Sequence, residues 1–375
     1  MLRILGPNDP ALDALQKSIE VHPELDVQLV IIPWEDYRTK LDETLGTYDF
    51  DAVFIPGHIW MPQLVVNDLI QPLDPYFLTS PKDLVSKYDP DGIFPSIQNE
   101  SKFSRTDEKT RQYMLPLFTD GHIVFYRSDL VKLPEEVSPR ELPGLISSFN
   151  LPAGMKAFAQ KAHSSEILLD FLPYFWDCGG ELVDETGEIK FNSEEGVQAL
   201  ELYRSLKPFC PEDSANYGNA EIVKTITSGE SAMAISWGGQ AAAIFGSLDA
   251  GASARIKTAS LGNAWNTTWG VSIPTNVPHE RAQKVFEALL NLMDSAGDEL
   301  VTQIAGSPVR INSYSMEAKL KYPWLSSQEA LLRNCKNLPV DPNFSKYLGP
   351  LYAAVHDVYT GRKSPQVALD DAAKT

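Results

Sequence analysis

Cysteine is scarce, long apolar runs are missing and basic residues are outnumbered, and each shortage removes a class of function. Three cysteines, Cys178, Cys210 and Cys335, are too few for a disulfide framework; at most one bridge could form, and no CxxC spacing marks a zinc or redox site. The longest apolar stretch, from Ala232 to Phe245, is broken by Ser236, Gly238, Gly239 and Gln240. It falls short of the roughly 20 residues that a spanning helix needs, so direct membrane insertion is not expected. Lys and Arg number 32 against 50 Asp and Glu, a net charge of -18. Such a surface repels nucleic-acid phosphates and anionic headgroups alike.

Recognisable catalytic patterns are also missing. There is no GxGxxG, no Walker loop and no HExxH, and Gly229-Glu230-Ser231-Ala232-Met233 lacks the final glycine of a nucleophile elbow. The six histidines stand singly along the chain, which argues against a metal centre. No catalytic residue, metal or cofactor is therefore expected. Two acids brought together from distant segments would leave no trace in sequence, so a carbohydrate-active enzyme using paired carboxylates stays open as an alternative. Met1 to Leu5 leads directly into an apolar strand pattern, without a charged n-region or long h-region. From that start, either a mature chain given a new Met or a protein that stays in the cytoplasm is expected.

What is present is enough apolar material for a large core: 375 residues, 43% hydrophobic and 22% charged, read as two lobes. Short apolar runs alternate with helix-period segments in the first third, the pattern of a doubly wound α/β sheet with parallel strands. Leu2 to Leu5, Val27 to Ile32 and Ala52 to Ile55 are the first three strands, the second rich enough in branched residues to be buried on both faces. Asn8 or Asp9 caps a helix that has Pro10 in its first turn and Leu12, Leu15 and Ile19 on its inner stripe. A second helix runs from Trp34 to Gly46. Ligands in open sheets of this kind bind beyond the carboxyl ends of the strands, so Gly6 to Asp9, Pro33-Trp34 and Gly57 to Trp60 form the first candidate site.

Further along, Met114 to Arg127 reads as a strand with a polar interruption at Thr119 to His122, and Glu135 to Pro152 as surface loop. Asn192 or Ser193 caps a helix to Leu206, a shorter helix ends near Gly229, and Ala232 to Ile235 is a strand entering the turn Ser236 to Gln240. Trp269 to Pro274 reads as a strand, and Pro278 opens a long helix ended by Gly297.

In order, these segments resemble the extracellular solute-binding proteins of ATP-driven importers, in particular the maltodextrin-binding-like sugar-binding family. The likeness is carried by Trp34-Glu35-Asp36-Tyr37, Tyr48 to Val53 and Leu69 to Asp74; by Tyr113 to Arg127; by Gly179 to Leu182 with Phe191 to Leu200; and by Gly229 to Ile235, Trp269 to Ile273 and Gly306 to Arg310. It spans nearly the whole chain. Where that family has a Pro-Thr-Trp phrase opening a helix, this chain has the shorter Pro134 to Pro139. The resemblance implies a two-lobed, periplasmic-binding-protein-like α/β fold with three hinge crossings, near Thr119 to His122, Ser260 to Asn266 and Ala305 to Asn312. The first lobe is then residues 1–119 plus 263–308 and the second 120–262 plus 309–375, with a ligand cleft between them. It also implies a monomer of the periplasm or cell surface that delivers a sugar to the membrane permease of an ABC importer.

Sugars offer apolar C–H faces and a ring of hydroxyls, so a site for them combines flat aromatics with planar polar side chains. Trp60 follows the third strand, Trp237 lies in a glycine-rich turn beside Gly239 and Gln240, and Trp265 and Trp269 flank a crossing. These four, with Trp34 and Trp176, are the expected platforms. Asp120 stands where the family places an acid that accepts sugar hydroxyls, and Arg310 where it could fork two hydroxyls or an acidic sugar's carboxylate. Asn8, Asp9 and His58 complete the expected ligand-binding set. A receptor of the same fold for a non-sugar solute would instead show clustered acids or tyrosines.

Overall fold

A computed structural model describes residues 1–57, 59–105, 109–339 and 344–374. The chain forms two compact units, Met1–Asp120 with Thr267–Ala318, and Gly121–Asn266 with Lys319–Thr375. The backbone therefore passes between units after Asp120, Asn266 and Ala318, against the expected 119, 262 and 308. Arg310, expected in the second lobe, belongs to the first unit.

In the first unit, β1 (Leu2–Pro7) lies between β2 (Val27–Ile32) and β3 (Ala52–Pro56), parallel to both. β3 then pairs antiparallel with the strand Asn266–Ser272, Val271 opposite Phe54, so the sheet is mixed and not wholly parallel as expected. β2 departs from expectation too. It is an edge strand with every residue at least partly exposed, and its branched side chains serve the extended backbone without being enclosed. β3, with neighbours on both sides, is buried throughout.

The helices of this unit follow local chemistry. Asp9 accepts a hydrogen bond from the Ala11 N–H at 2.8 Å and caps Pro10–Val21, with Leu12, Leu15 and Ile19 buried. Trp34–Gly46 buries Tyr37, Leu41 and Leu45. The helix opened by Pro278 does not reach Gly297: it spans His279–Leu292, and Asp294 starts a second helix, Ser295–Ala305, by accepting from the Ala296 and Gly297 N–H groups. A well-placed acidic cap outranked a glycine stop. Gly270 is a position of close approach, since a Cβ there would stand 2.2 Å from the Leu115 carbonyl oxygen.

The strand Leu115–Arg127 is continuous through the expected interruption. Its polar residues are absorbed, the Thr119 N–H donating to the Ser307 carbonyl and its hydroxyl to that of Thr267. In the second unit, the far half of this strand pairs antiparallel with both Met233–Trp237 and Ile256–Leu261. Glu136–Val137 adds to the latter in parallel, and Leu142–Ser147 is helical, so the expected loop there carries two regular elements. The helix Ile167–Asp177 is apolar nearly all round and buried, with Pro173 inside it. Ser193 caps Glu194–Ser205, and the two long elements Ser345–Thr360 and Pro365–Ala373 close the unit. All three cysteines are free thiols. No helix among the described residues is long and apolar enough to cross a membrane.

Candidate functional site

The carboxyl ends of β1 and β3 and the start of the Trp34 helix bring the first unit's aromatics together. Trp34 and Trp60 lie nearly parallel, ring centres 6.0 Å apart at 8°, and the edge of Trp34 meets Trp269 at 5.4 Å. Phe54 and Phe118 stack on Trp269 at 5.6 and 6.2 Å. Trp34 is 47% exposed, whereas Trp60 and Trp269 are half-buried. Three of the expected platforms thus form one aromatic surface. Asn8 ties it to β1, its Oδ1 accepting the Trp34 N–H at 2.7 Å. Asp9 sits alongside; burial pushes its carboxyl up to about 6, with Asp13 adding and the Ala11 N–H opposing. The Arg38 guanidinium lies 4.9 Å from the Trp60 ring centre and pairs with Asp42. Asp120 is buried at the end of this unit's share of the crossing strand.

Two expectations are corrected by burial. Arg310 is only 2% exposed: its Nε and Nη2 donate to the Tyr88 carbonyl, Nη2 also to that of Met293, and Nη1 stands 3.7 Å from Asp298. Asp298 in turn accepts the Val309 and Arg310 N–H groups. This guanidinium braces the first unit's interior and, enclosed there, is not presented to a solute. Trp265 is fully buried, its indole N–H donating to the Leu169 carbonyl at 3.0 Å, so it is a backing ring and not an open platform. His58 lies outside the described residues.

The second unit contains a group that the motifs did not reveal. Trp237, itself buried with 8% of its surface exposed, ends its strand with one face toward His122, ring centres 4.0 Å apart, and meets Trp265 edge-to-face at 5.5 Å. The Lys161 ammonium lies 4.7 Å from the Trp237 ring centre. From there Lys161 reaches Asp170 at 3.2 Å, Glu166 at 3.4 Å and the Asn219 side-chain oxygen at 3.0 Å, while His122 Nε2 is 3.1 Å from Asp170. His122, Lys161 and Asp170 are all buried. Yet both ring nitrogens of His122, both oxygens of Asp170 and one of Glu166 have no hydrogen-bond partner, because the approach angles fail even where the distances are short. Four of these five atoms still face a charged partner within the cluster, Nε2 of His122 with Asp170 and the carboxylate oxygens of Asp170 and Glu166 with His122 or Lys161, and Nδ1 of His122 stands outside these pairs; a buried polar atom left so is uncommon and marks a candidate contact for a solute. Burial lowers the His122 pKa, with the Asp170 carboxylate opposing, and raises that of Tyr352, to which Asp170 and Glu166 add.

Gly239 and Gln240 follow Trp237 in a half-buried 3-10 turn. Trp176 is elsewhere, at the end of the Ile167–Asp177 helix, where it lines a cavity of about 520 Å³ with Gly180, Glu181, Asp184, Glu185 and Lys336. Among the described residues no three His, Cys, Asp or Glu side chains are grouped to hold a metal ion.

Comparison with known proteins bears on the fold and the family. A binding protein of Brucella abortus is 22% identical over 97% of this chain and 88% of its own length. Maltose-bound MalE3 of T. maritima superposes with a TM-score of 0.83 at 19% identity, covering 100% of this chain and 98% of that one. An ABC transporter solute-binding protein of Agrobacterium radiobacter K84, in complex with ribitol, gives 0.82 at 20% identity, covering 100% and 97%. The mixed α/β architecture is thus shared over full length. Residues 7–293 match the family model of the bacterial extracellular solute-binding proteins, and the chain belongs to that family.

Proposed function

We propose that the protein is the receptor of an ABC importer, taking a carbohydrate or sugar alcohol at its clustered indoles and delivering it to a membrane permease without transforming it. The observation that carries this reading is the buried polar cluster of His122, Lys161, Asp170 and Glu166, which packs through His122 and Lys161 on the indole of Trp237. An indole face accepts the C–H side of a sugar ring while adjacent acceptors and donors take its hydroxyls, and few other solutes need both at once. The exposed surface of Trp34, Trp60 and Trp269 supplies the same apolar chemistry in the first unit. Maltose and ribitol in similar receptors are consistent with it. Extracellular placement follows from the family, and a monomer suffices because each cluster is built within one chain.

The test is thermal unfolding against neutral sugars and polyols. A ligand at a thousand times its Kd stabilises the folded state by about 4 kcal/mol, which moves the melting temperature by several degrees. A panel of mono-, di- and oligosaccharides and alditols that leaves the transition unmoved would remove the carbohydrate reading. Sugar consumed to product during the incubation would replace the receptor with an enzyme.

A further inference from the structure

We infer that the ligand is uncharged: this receptor admits neutral polyhydroxylated molecules and rejects sugar acids and sugar phosphates. The inference rests on the carbohydrate reading and sharpens it. Anion recognition needs a cation with donors to spare, and around these indoles the cations are committed.

Lys161, the one ammonium packed on Trp237 among the described residues, faces two carboxylates and the Asn219 oxygen, which occupy its three N–H directions. With His122 held toward its neutral form by burial, the cluster has one more negative charge than positive. Arg38, beside Trp60, is paired with Asp42. Arg310, the residue best suited by type to fork a carboxylate, is buried and bonded within the first unit. At the cavity next to Trp176, Lys336 is outnumbered by Glu181, Asp184 and Glu185. An anionic ligand at Trp237 or in the cavity beside Trp176 would give up its hydration for surroundings that already hold surplus carboxylate, and beside Trp60 it would meet a cation already paired. Neutral hydroxyls instead can donate to the lone pairs that the Asp170 and Glu166 carboxylates keep beyond those facing Lys161, and meet an imidazole that both donates and accepts.

Isothermal titration calorimetry on the full chain tests this with matched pairs: maltose and maltobionate, glucose and glucuronate, ribitol and ribonate. The expected result is measurable binding of at least one neutral member and affinity at least 100-fold weaker for its acid. In the variant Glu166→Gln, whose side chain is 31% exposed and tolerates the change, the ratio should narrow to about tenfold. An acid that binds as tightly as its neutral partner overturns the inference and leaves the carbohydrate reading standing, as does an unchanged ratio in Glu166→Gln. Absence of binding by both members of every pair, with the protein folded, overturns both.

Discussion

Nε2 of His122 stands 3.1 Å from Oδ1 of Asp170, with both side chains enclosed. Burial keeps the folded-state pKa of His122 below its ordinary value despite that neighbour. Unfolding frees the ring to bind a proton near pH 6.5, so stability is fully present above that pH and is lost as pH falls toward the folded value. In His122→Gln this loss disappears. The difference in urea midpoint between the two proteins should therefore shrink from pH 8 to pH 5, and a constant difference would show that His122 titrates as in the unfolded chain.

Asp9 has the opposite sign. Its carboxyl is raised to about 6 in the folded protein, so relative to the unfolded chain its contribution is favourable below about pH 4 and is lost as pH rises through 6. Asn caps a helix about as well as Asp. Asp9→Asn should therefore stabilise the ligand-free protein at pH 7 by about 1–2 kcal/mol and make no difference at pH 4, by chemical denaturation at the two pH values. Loss of stability at pH 7 would mean that the ionised cap is worth more than its burial costs.

Arg310→Met should cost about 3–5 kcal/mol of folding stability, because it strands the buried Asp298 and two carbonyls that the guanidinium now serves. Whatever folds should keep its ligand affinity within about threefold, roughly 0.7 kcal/mol. Calorimetry finding intact stability with weakened binding would restore the ligand-contact role that the sequence suggested.

Trp34→Ala separates the two properties the other way. With nearly half its surface open, Trp34 contributes only its ring contacts with Trp60, Trp269 and Tyr37, about 1–2 kcal/mol in all. Sugar affinity should fall at least tenfold, about 1.4 kcal/mol. Unaltered affinity in a fluorescence titration would place the sugar-bearing surface elsewhere.

The parts of the fold that were legible in sequence were those decided within a few residues: the helix starts at Asn8 or Asp9 and at Asn192 or Ser193, where Asp9 and Ser193 are the caps, the strands around Ile4 and Val53, and the turn after Trp237. Sheet direction was not, since nothing local in Asn266–Ser272 tells that it runs against β3. Nor was the edge position of β2, where branched residues suit exposed and enclosed strands equally. Trp34 and Trp60 could be placed by their position after strands, and Trp269 by its place beside a crossing. Lys161, Glu166 and Asp170 escaped because no spacing links them to Trp237, which lies about 70 residues on. One signal was available: Asp170 interrupts a helix otherwise apolar on every face, and an acid so enclosed must answer to a cation or a ligand.

Because each unit is assembled from two separate stretches, synthesis cannot finish them in turn. β3 waits for a partner strand more than 200 residues downstream, and the second unit's sheet is laid down long before Ser345–Thr360 exists to cover the Ile167 helix. Such remote pairing is slow, so the nascent chain stays unfinished until nearly all of it has left the ribosome.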